Sequence, residues 1–290
     1  GMGLVYEAEQ LEPIRRKVAL KMVKRGLDTA EFISRFESER QALAMMDHPC
    51  IARVFDAGAT ERGRPYFVME YVDGIPLNDY CDENRMSVRK RLELFILVCE
   101  GVQHAHQKAI IHRDLKPSNV MVTVVDGQPV PKIIDFGVAK AMDSTMFDST
   151  MTTGAGQLVG TPEYMSPEQA DLNGGGIDTR TDVYALGVVL YELLVGRLPF
   201  TSAELKDLGF QEVLRTIKEV EPPKPSTRMG TIAGQNSEDM AVLSQNRHTN
   251  SATLRRSLRG DLDWITMKAL EKERSRRYQT VNALAMDVNR

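Results

Sequence analysis

IHRDLKPSNVMV, residues Ile111–Val122, is the stretch that decides how this chain folds. Apolar residues frame it, yet His, Arg, Asp, Lys and Asn all occur within the eight residues 112–119. Such groups are costly to bury unless hydrogen bonds or opposite charges satisfy them. The stretch is therefore predicted to form a site rather than an ordinary buried strand, and a plain polar loop is the alternative.

A second stretch, Asp135-Phe136-Gly137, follows an apolar strand pattern over Pro131–Ile134 and lies sixteen residues after Asn119. The tripeptide is common by itself, but its position behind a strand makes it informative. Together the two stretches resemble the catalytic segments of protein kinases. Lys116 followed by Pro117 resembles the serine/threonine branch of that family.

The resemblance implies roles for the polar residues. Asp114 would orient the substrate hydroxyl and take its proton, and Lys116 would reach the transferring phosphate. Asn119 and Asp135 would be the ligands of Mg²⁺, with Mn²⁺ as the alternative ion. Thr161, in the kinase-like stretch GTPEYMSPEQ, would brace Asp114 and Lys116.

A buried ion pair is predicted between Lys21 and Glu39. In KVALKMVK, Lys21 shares an apolar strand face with Ala19 and Val23, and Glu39 lies on the inward stripe of a helix expected over residues 29–46. A lone buried charge costs several kcal/mol, so pairing is the natural solution. Two solvated charges are the alternative. In protein kinases this pair holds the nucleotide phosphates.

The resemblance also implies a nucleotide pocket. Gly1 to Val5 resembles the end of a glycine-rich phosphate loop, and the other residues would form apolar walls or donate backbone hydrogen bonds to adenine. Plain core packing is the alternative for the apolar ones. The residues assigned to ATP are Gly1, Gly3, Val5, Ala19, Lys21, Met69, Glu70, Val72 and Met121.

Further residues are assigned structural roles by the resemblance. Glu168 would pair with Arg277, and Asp182 would begin an apolar helix and anchor the catalytic loop. Residues 260–280, GDLDWITMKALEKERSRRYQT, look like bacterial kinases of the planctomycete type. Trp264 in this stretch is expected to be a core anchor.

The pattern of elements predicts an α+β, bilobal protein-kinase fold. Residues 1–72 would form a small antiparallel-sheet lobe with one helix, and residues 73–290 a larger, mainly helical lobe. Strands are expected over residues 4–8, 17–24, 51–57 and 65–71. A polar, proline-bearing stretch at about residues 221–250 is expected to be a flexible insertion. The strand and first glycines of the phosphate loop are expected to precede Gly1.

The segment between Asp135 and Glu168 is rich in serine and threonine. The resemblance implies autophosphorylation at Thr152 or Thr153, which lie seven or eight residues before Gly160, about where related bacterial kinases carry phosphates. In the family an arginine at the position of Arg113 often receives such a phosphate, which would gain charge-assisted hydrogen bonds there. An unmodified flexible loop is the alternative. A transient homodimer is one route to such autophosphorylation.

Composition bounds the function classes. The 290 residues carry a net charge of −3, which argues against nucleic-acid binding through bulk positive charge. Three scattered cysteines are expected to be reduced and buried. No apolar run is long enough to span a bilayer, so no membrane contact is expected in this segment, and a cytoplasmic location is expected. Anchoring of a longer protein to a membrane is left open.

The sequence thus predicts an ATP-dependent protein serine/threonine kinase that acts on protein substrates. An inactive fragment or pseudokinase-like scaffold is the first alternative, although Lys21, Asp114, Asn119 and Asp135 are all present. A small-molecule kinase of the aminoglycoside type is the second, and it should lack GTPEYMSPEQ. With part of the phosphate loop missing, this chain is expected to be a poor kinase and its parent a good one.

Overall fold

The computed structural model describes residues 3–23, 43, 45–61, 63–136, 161–171 and 176–290. Four of the predicted site residues, Gly1, Glu39, Thr152 and Thr153, lie outside these ranges, as does most of the helix expected over residues 29–46. What the sequence predicts for them stays a prediction.

The first sheet is antiparallel and has the strand order β1-β2-β4-β3. Its strands are β1 (Gly3–Gln10), β2 (Arg16–Val23), β3 (Val54–Ala59) and β4 (Pro65–Glu70). All four were expected from the sequence. The third begins later than predicted, because Ile51 forms an isolated bridge with Ile133 of the second sheet.

The second sheet has the order β5 (Ile75–Pro76), β6 (Val120–Val125) and β7 (Gln128–Ile133). The turn between β6 and β7 is Asp126-Gly127, with φ of 50° and 76°. Glycine adopts this left-handed region freely and aspartate tolerates it, which suits a two-residue hairpin. Ile133 exchanges backbone hydrogen bonds with residues 50 and 52, so this sheet is joined to the segment that precedes β3.

Ten α-helices lie after the first sheet in the described part of the chain, the first two of them before β6. They are α1 (Leu77–Glu83), α2 (Val88–Gln107), α3 (Arg180–Val195), α4 (Ser202–Lys206), α5 (Phe210–Glu219), α6 (Pro225–Gln235), α7 (Ser237–Asn246), α8 (Ser251–Leu258), α9 (Asp261–Ala269) and α10 (Val281–Asn289). Short 3₁₀ turns cover Pro117–Asn119, Pro162–Tyr164 and Arg274–Arg276. The predicted α+β class, with an antiparallel sheet followed by a mainly helical region, is confirmed. Among the described helices, none combines the length and the apolar character needed to cross a membrane.

Helix α3 is the centre of the helical region. Of its 16 residues, 14 are buried, as expected for a helix that is apolar nearly all round. It contacts α2, α6, α9 and α10. Gly187 allows α9 to approach closely, because Ala269 packs where a side chain would otherwise lie.

The expectation of a flexible insertion at about residues 221–250 is wrong for most of that stretch. Residues 225–235 and 237–246 form helices α6 and α7, and Met229, Met240 and Leu243 are buried. The prolines do not interrupt them, because Pro225 is at the first turn of α6, where no backbone donor is needed. Asn236 begins α7 by accepting hydrogen bonds from the backbone of Glu238 and Asp239.

Trp264 is not a core anchor, contrary to the expectation. Its exposed fraction is 56%, and its ring lies edge-on to Tyr278 with Lys268 above it. Helix α9 instead turns Ile265 and Ala269 toward the core. The size of the tryptophan side chain suggested burial, whereas its position along α9 places it on the face of the helix opposite the core.

Close packing at Gly187 leads to a stability prediction. A Cβ at this position would lie 2.8 Å from Ala269 Cβ and 3.1 Å from Leu270 Cδ2. Gly187→Val is therefore expected to lower the free energy of unfolding by about 2–3 kcal/mol through overpacking. Urea unfolding monitored by circular dichroism measures this.

The matched control is Gly234→Val in α6, where an added Cβ would have no atom within 4 Å apart from its chain neighbours and the nearby backbone of its own helix. Its free energy of unfolding is expected to change by less than about 0.5 kcal/mol. Equal effects of the two substitutions would contradict the close α3–α9 contact.

Candidate active site

The stretch between α2 and β6 folds into a tight loop around one carboxylate. Asp114 Oδ2 lies 3.2 Å from Lys116 Nζ and 3.2 Å from Asn119 Nδ2. Asn119 Nδ2 also donates to the Asp114 carbonyl over 2.8 Å. The 3₁₀ turn Pro117–Asn119 brings Asn119 back toward Asp114. Three of the predicted site residues therefore lie together.

Lys21 lies on the face of the first sheet that carries the predicted nucleotide residues. The strand register places Val5 and Phe67 opposite Lys21, and Met69 opposite Ala19, so all five share one face. Ala19 and Met69 are half-buried, and Val5 is 59% exposed. Gly3 lies opposite Val23 at the start of the same strand pair.

The Lys21 ammonium contacts the Asp135 carboxylate, which links the first sheet to the segment after β7. The side chain of Lys21 is 14% exposed and that of Asp135 is 32% exposed. Because Glu39 lies outside the described residues, the predicted Lys21–Glu39 pair stays a prediction. The contact with Asp135 was not among the sequence predictions, since 114 residues separate the two side chains.

Lys132 links the second sheet to Glu70 at the end of β4. Met121 pairs with Lys132 across β6 and β7, and Lys132 Nζ lies 3.0 Å from Glu70 Oε1. The half-buried Met121 is therefore on the face of the second sheet that approaches the end of β4. Val72, also half-buried, follows in the connection to β5. The Glu70 N–H already donates to the Arg53 carbonyl over 2.8 Å.

Two non-glycine residues beside the carboxylates adopt left-handed backbone conformations. Arg113 and Asp135 both have φ of 64°. Such conformations cost about 1–3 kcal/mol and persist where surrounding contacts impose them. His112 supplies some of these contacts, because its ring packs 4.7 Å from that of Phe136 and its Nε2 lies 3.1 Å from the Ile134 carbonyl. Burial lowers the pKa of His112, which favours the neutral ring.

Asp182, at the start of α3, anchors the loop that carries Asp114. Its carboxylate accepts hydrogen bonds from the backbone N–H groups of His112 and Arg113 over 2.8 and 2.9 Å, and His106 Nε2 lies 2.7 Å away. Burial would raise the pKa of Asp182, but the contact with His106 and the other donors lower it overall. The expected anchoring of the catalytic loop by Asp182 is present, and His106 is an additional partner.

The segment of residues 161–171 lies against the same loop. Thr161 Oγ1 is 3.3 Å from Lys116 Nζ, and Gln169 Nε2 donates to the Arg113 carbonyl over 2.9 Å. The expected pair of Glu168 and Arg277 is present, with two hydrogen bonds of 2.8 Å. Gln169 was not singled out from the sequence, although its place at the end of GTPEYMSPEQ could have suggested a role.

The comparisons with known proteins agree with this geometry. The protein kinase domain family matches residues 1–285. PknB of Mycobacterium tuberculosis, a serine/threonine-protein kinase, is 35% identical over 295 aligned residues, which cover 100% of this chain and 41% of PknB. Pkn1 of Myxococcus xanthus, also a serine/threonine-protein kinase, is 40% identical over 229 residues, or 78% of this chain and 31% of Pkn1.

The fold has a counterpart among solved structures. The kinase domain of Mycobacterium tuberculosis PknI matches with a TM-score of 0.67 at 24% identity, covering 100% of this chain and 91% of that one. The chain belongs to the protein kinase domain family, and its relatives place it with the bacterial serine/threonine kinases. It spans about two-fifths or less of the length of PknB and Pkn1. The family generally uses ATP and a divalent metal ion.

The Glu168–Arg277 pair generates a prediction with a pH dependence. The side chains of Glu168 and Arg277 are 8% and 0% exposed, so Arg277→Met would leave a buried carboxylate without its cation. A loss of about 3 kcal/mol in the free energy of unfolding at pH 7 is expected. Urea unfolding at pH 7, 5 and 4 measures it.

The sign of the pH effect follows from the pKa of Glu168. Burial raises this pKa, but hydrogen bonds and the charge of Arg277 lower it below its ordinary value of 4.5. Above pH 4.5 the pair therefore stabilises the native protein fully. This stabilisation is lost as the pH falls through the lowered pKa of Glu168. In Arg277→Met the unpaired carboxyl has a raised pKa, so the deficit should shrink between pH 7 and 4. A deficit that is constant with pH would contradict this, and Arg215→Met, in a surface pair, is the control.

Proposed function

We propose that this chain transfers the γ-phosphoryl group of ATP to serine or threonine hydroxyls of protein substrates. The observation that carries the proposal is the convergence of Asp114, Lys116 and Asn119 in one loop, together with the Lys21–Asp135 contact between the first sheet and the segment after β7. A carboxylate, two cations and an amide oxygen are the groups that phosphoryl transfer requires.

The nucleotide would lie between the two sheets. Val5, Ala19 and Met121 would contact the adenine ring, with Met69 behind it. Because the N–H of Glu70 is already bonded to Arg53, the donor to the adenine edge would be the N–H of Val72. Glu70 would contribute its carbonyl oxygen, and Gly1 and Gly3 would border the phosphates.

The donor set fits a magnesium ion. The contacts of Asn119 Nδ2 with Asp114 orient the amide so that its oxygen would be the ligand, and Asp135 adds a carboxylate. Two protein ligands suit Mg²⁺, which keeps several waters and binds substrate phosphates, and Mn²⁺ accepts the same oxygens. When bound, the ion would neutralise charge on the phosphate oxygens.

The protein groups would then act on the hydroxyl. The substrate oxygen forms a bond to the γ-phosphorus while the bond from that phosphorus to the ADP oxygen breaks. The hydroxyl proton passes to the Asp114 carboxylate, which Lys116 and Asn119 hold through Oδ2. Lys116 would stabilise the transferred phosphoryl oxygens, and Lys21 those of ADP. Thr161 would keep Lys116 in place.

Regulation by phosphorylation is part of the proposal. Thr152 or Thr153 would receive a phosphate from a second copy of the chain in a transient homodimer, and Arg113 would bind it. Two hydrogen bonds fix the backbone of Arg113, because Asp182 accepts from its N–H and Gln169 donates to its carbonyl. A phosphate held there would act directly on the residue that precedes Asp114. We also propose that this domain works in the cytoplasm, where ATP is available.

Metal-dependent transfer can be tested by intact mass. After incubation with Mg-ATP, the chain is expected to gain mass in steps of one phosphate. Asp135→Asn should lower the initial rate at least about 100-fold, because a metal ligand and its charge are lost. Asp126→Asn is the matched control, since Asp126 is exposed in the β6–β7 turn, where asparagine tolerates the positive φ. Equal rates for wild type and Asp135→Asn would refute the proposed role.

The phosphosites can be tested by peptide mapping of the incubated chain. Phosphate is expected on Thr152 or Thr153, and the Thr152→Ala, Thr153→Ala double variant should lose activity toward a second protein by about tenfold or more. Ser149→Ala is the control within the same segment. If every phosphate maps outside residues 137–160, the proposed regulation fails while the proposed transfer activity stands.

A further inference from the structure

Arg247 is a buried arginine far from the catalytic loop. It follows α7, in the stretch expected to be a flexible insertion, and its exposed fraction is 1%. Its Nε donates to the Leu194 carbonyl over 2.6 Å, and its Nη2 donates to the Leu193 carbonyl over 2.9 Å. Nη2 also lies 3.4 Å from the Glu192 carbonyl. These three carbonyls belong to the last turn of α3.

The last carbonyls of a helix have no partner within the helix, so those of Leu193 and Leu194 need donors from elsewhere, whereas the Glu192 carbonyl already accepts the Gly196 N–H over 2.7 Å. A guanidinium carries five N–H donors in a rigid fork and can serve several carbonyls at once. Its positive charge also complements the C-terminal end of the helix dipole. Burial lowers the pKa of Arg247 to about 10, so the side chain stays charged at neutral pH.

The end of α3 is shaped around this guanidinium. Gly196 terminates the helix with φ of 73°, and a Cβ there would lie 3.0 Å from Arg247 Nη2 and 2.4 Å from Leu243 Cδ2. A residue with a side chain would both strain the backbone and displace the arginine. On the other side, Arg91 donates to the carbonyl of Asn246 over 2.6 Å, which holds the segment that carries Arg247.

The same turn of α3 holds the segment of residues 161–171. Glu192 Oε2 accepts a hydrogen bond of 2.5 Å from the Tyr164 hydroxyl, and burial raises the pKa of Glu192. Tyr164 lies three residues after Thr161, whose hydroxyl contacts Lys116. A continuous path of contacts therefore joins Arg247 to the candidate active site through the end of α3.

We propose that Arg247 is a positioning residue for the protein substrate. By holding the last turn of α3, it keeps Glu192 in place for Tyr164, and Tyr164 fixes the segment against which a substrate would dock beside Lys116. The inference rests on the proposed kinase activity and adds that the segment following α7 helps to shape the substrate side of the site. ATP, which would bind at the opposite side of Asp114, should be unaffected.

Kinetics separate this role from general stabilisation. The probe is the best substrate from a positional-scanning library of serine/threonine peptides. Arg247→Lys and Arg247→Met are expected to raise the KM for this peptide about tenfold or more and to change the KM for ATP less than twofold. Arg228→Met is the matched control, because Arg228 is in α6, pairs with Glu204, and makes only long contacts of 3.4–3.5 Å with the carbonyls of Leu198 and Pro199, beyond the last turn of α3. A loss of folded enzyme alone would lower kcat and leave both KM values unchanged.

A double-mutant cycle tests the path itself. Tyr164→Phe removes only a hydroxyl and is expected to raise the peptide KM as well. Combined with Arg247→Lys, it should add little, because both substitutions act on the same contact. An unchanged peptide KM in Tyr164→Phe, or fully additive effects, would overturn the inference even if the Arg247 variants fail to fold.

Hydrogen exchange gives a readout that does not need catalysis. Backbone amides of residues 161–171 should exchange faster in Arg247→Lys than in Arg228→Met, and equal exchange would overturn the inference. If wild-type protein shows no phosphate transfer, the proposed function fails, and this exchange comparison still decides the role of Arg247. Normal transfer with unchanged peptide KM in the Arg247 variants would count against this inference alone.

Discussion

The buried carboxylate of Asp182 is the interaction on which the active site depends. It accepts backbone hydrogen bonds from His112 and Arg113, the two residues that precede Asp114, and it contacts His106 at the end of α2. A buried carboxylate is stable only when several hydrogen-bond donors surround it. The Asp182 carboxylate therefore requires the loop backbone to present its N–H groups, and this requirement fixes the loop conformation. The left-handed backbone of Arg113 is held in this way.

Helix α3 extends this constraint through the helical region. Its first turn carries Asp182, which holds the catalytic loop, and its last turn carries Glu192, which holds Tyr164. Because the helix is buried on almost every side, it is a rigid frame between the two contacts. Arg277 adds a third link, since it bonds both Glu168 and the carbonyl of residue 180 at the start of the helix. The loop around Asp114 and the segment of residues 161–171 are thus assembled on one element.

Much of the fold and the site could be predicted from local patterns. The strands follow from short β-branched and aromatic runs, and α3 follows from a continuous apolar stretch. The arrangement of Asp114, Lys116 and Asn119 follows from their spacing, because residues two to five apart in a tight loop must lie close together. Contacts between residues far apart in the sequence were harder to predict. The Lys21–Asp135 contact joins side chains 114 residues apart, and nothing in either local sequence specifies the partner.

The sequence by itself determined the kinase family, the chemical groups of the site and most of the element types, since each depends on residue identity and short spacing. The tertiary structure alone decided that residues 225–246 are helical, that Trp264 faces outward and that Arg247 holds the end of α3. Polar residues and prolines made this stretch look disordered, but the buried side chains of Met229, Met240 and Leu243 supply the apolar surface that orders it. Burial against distant elements, which no local pattern encodes, is the physical reason for the difference.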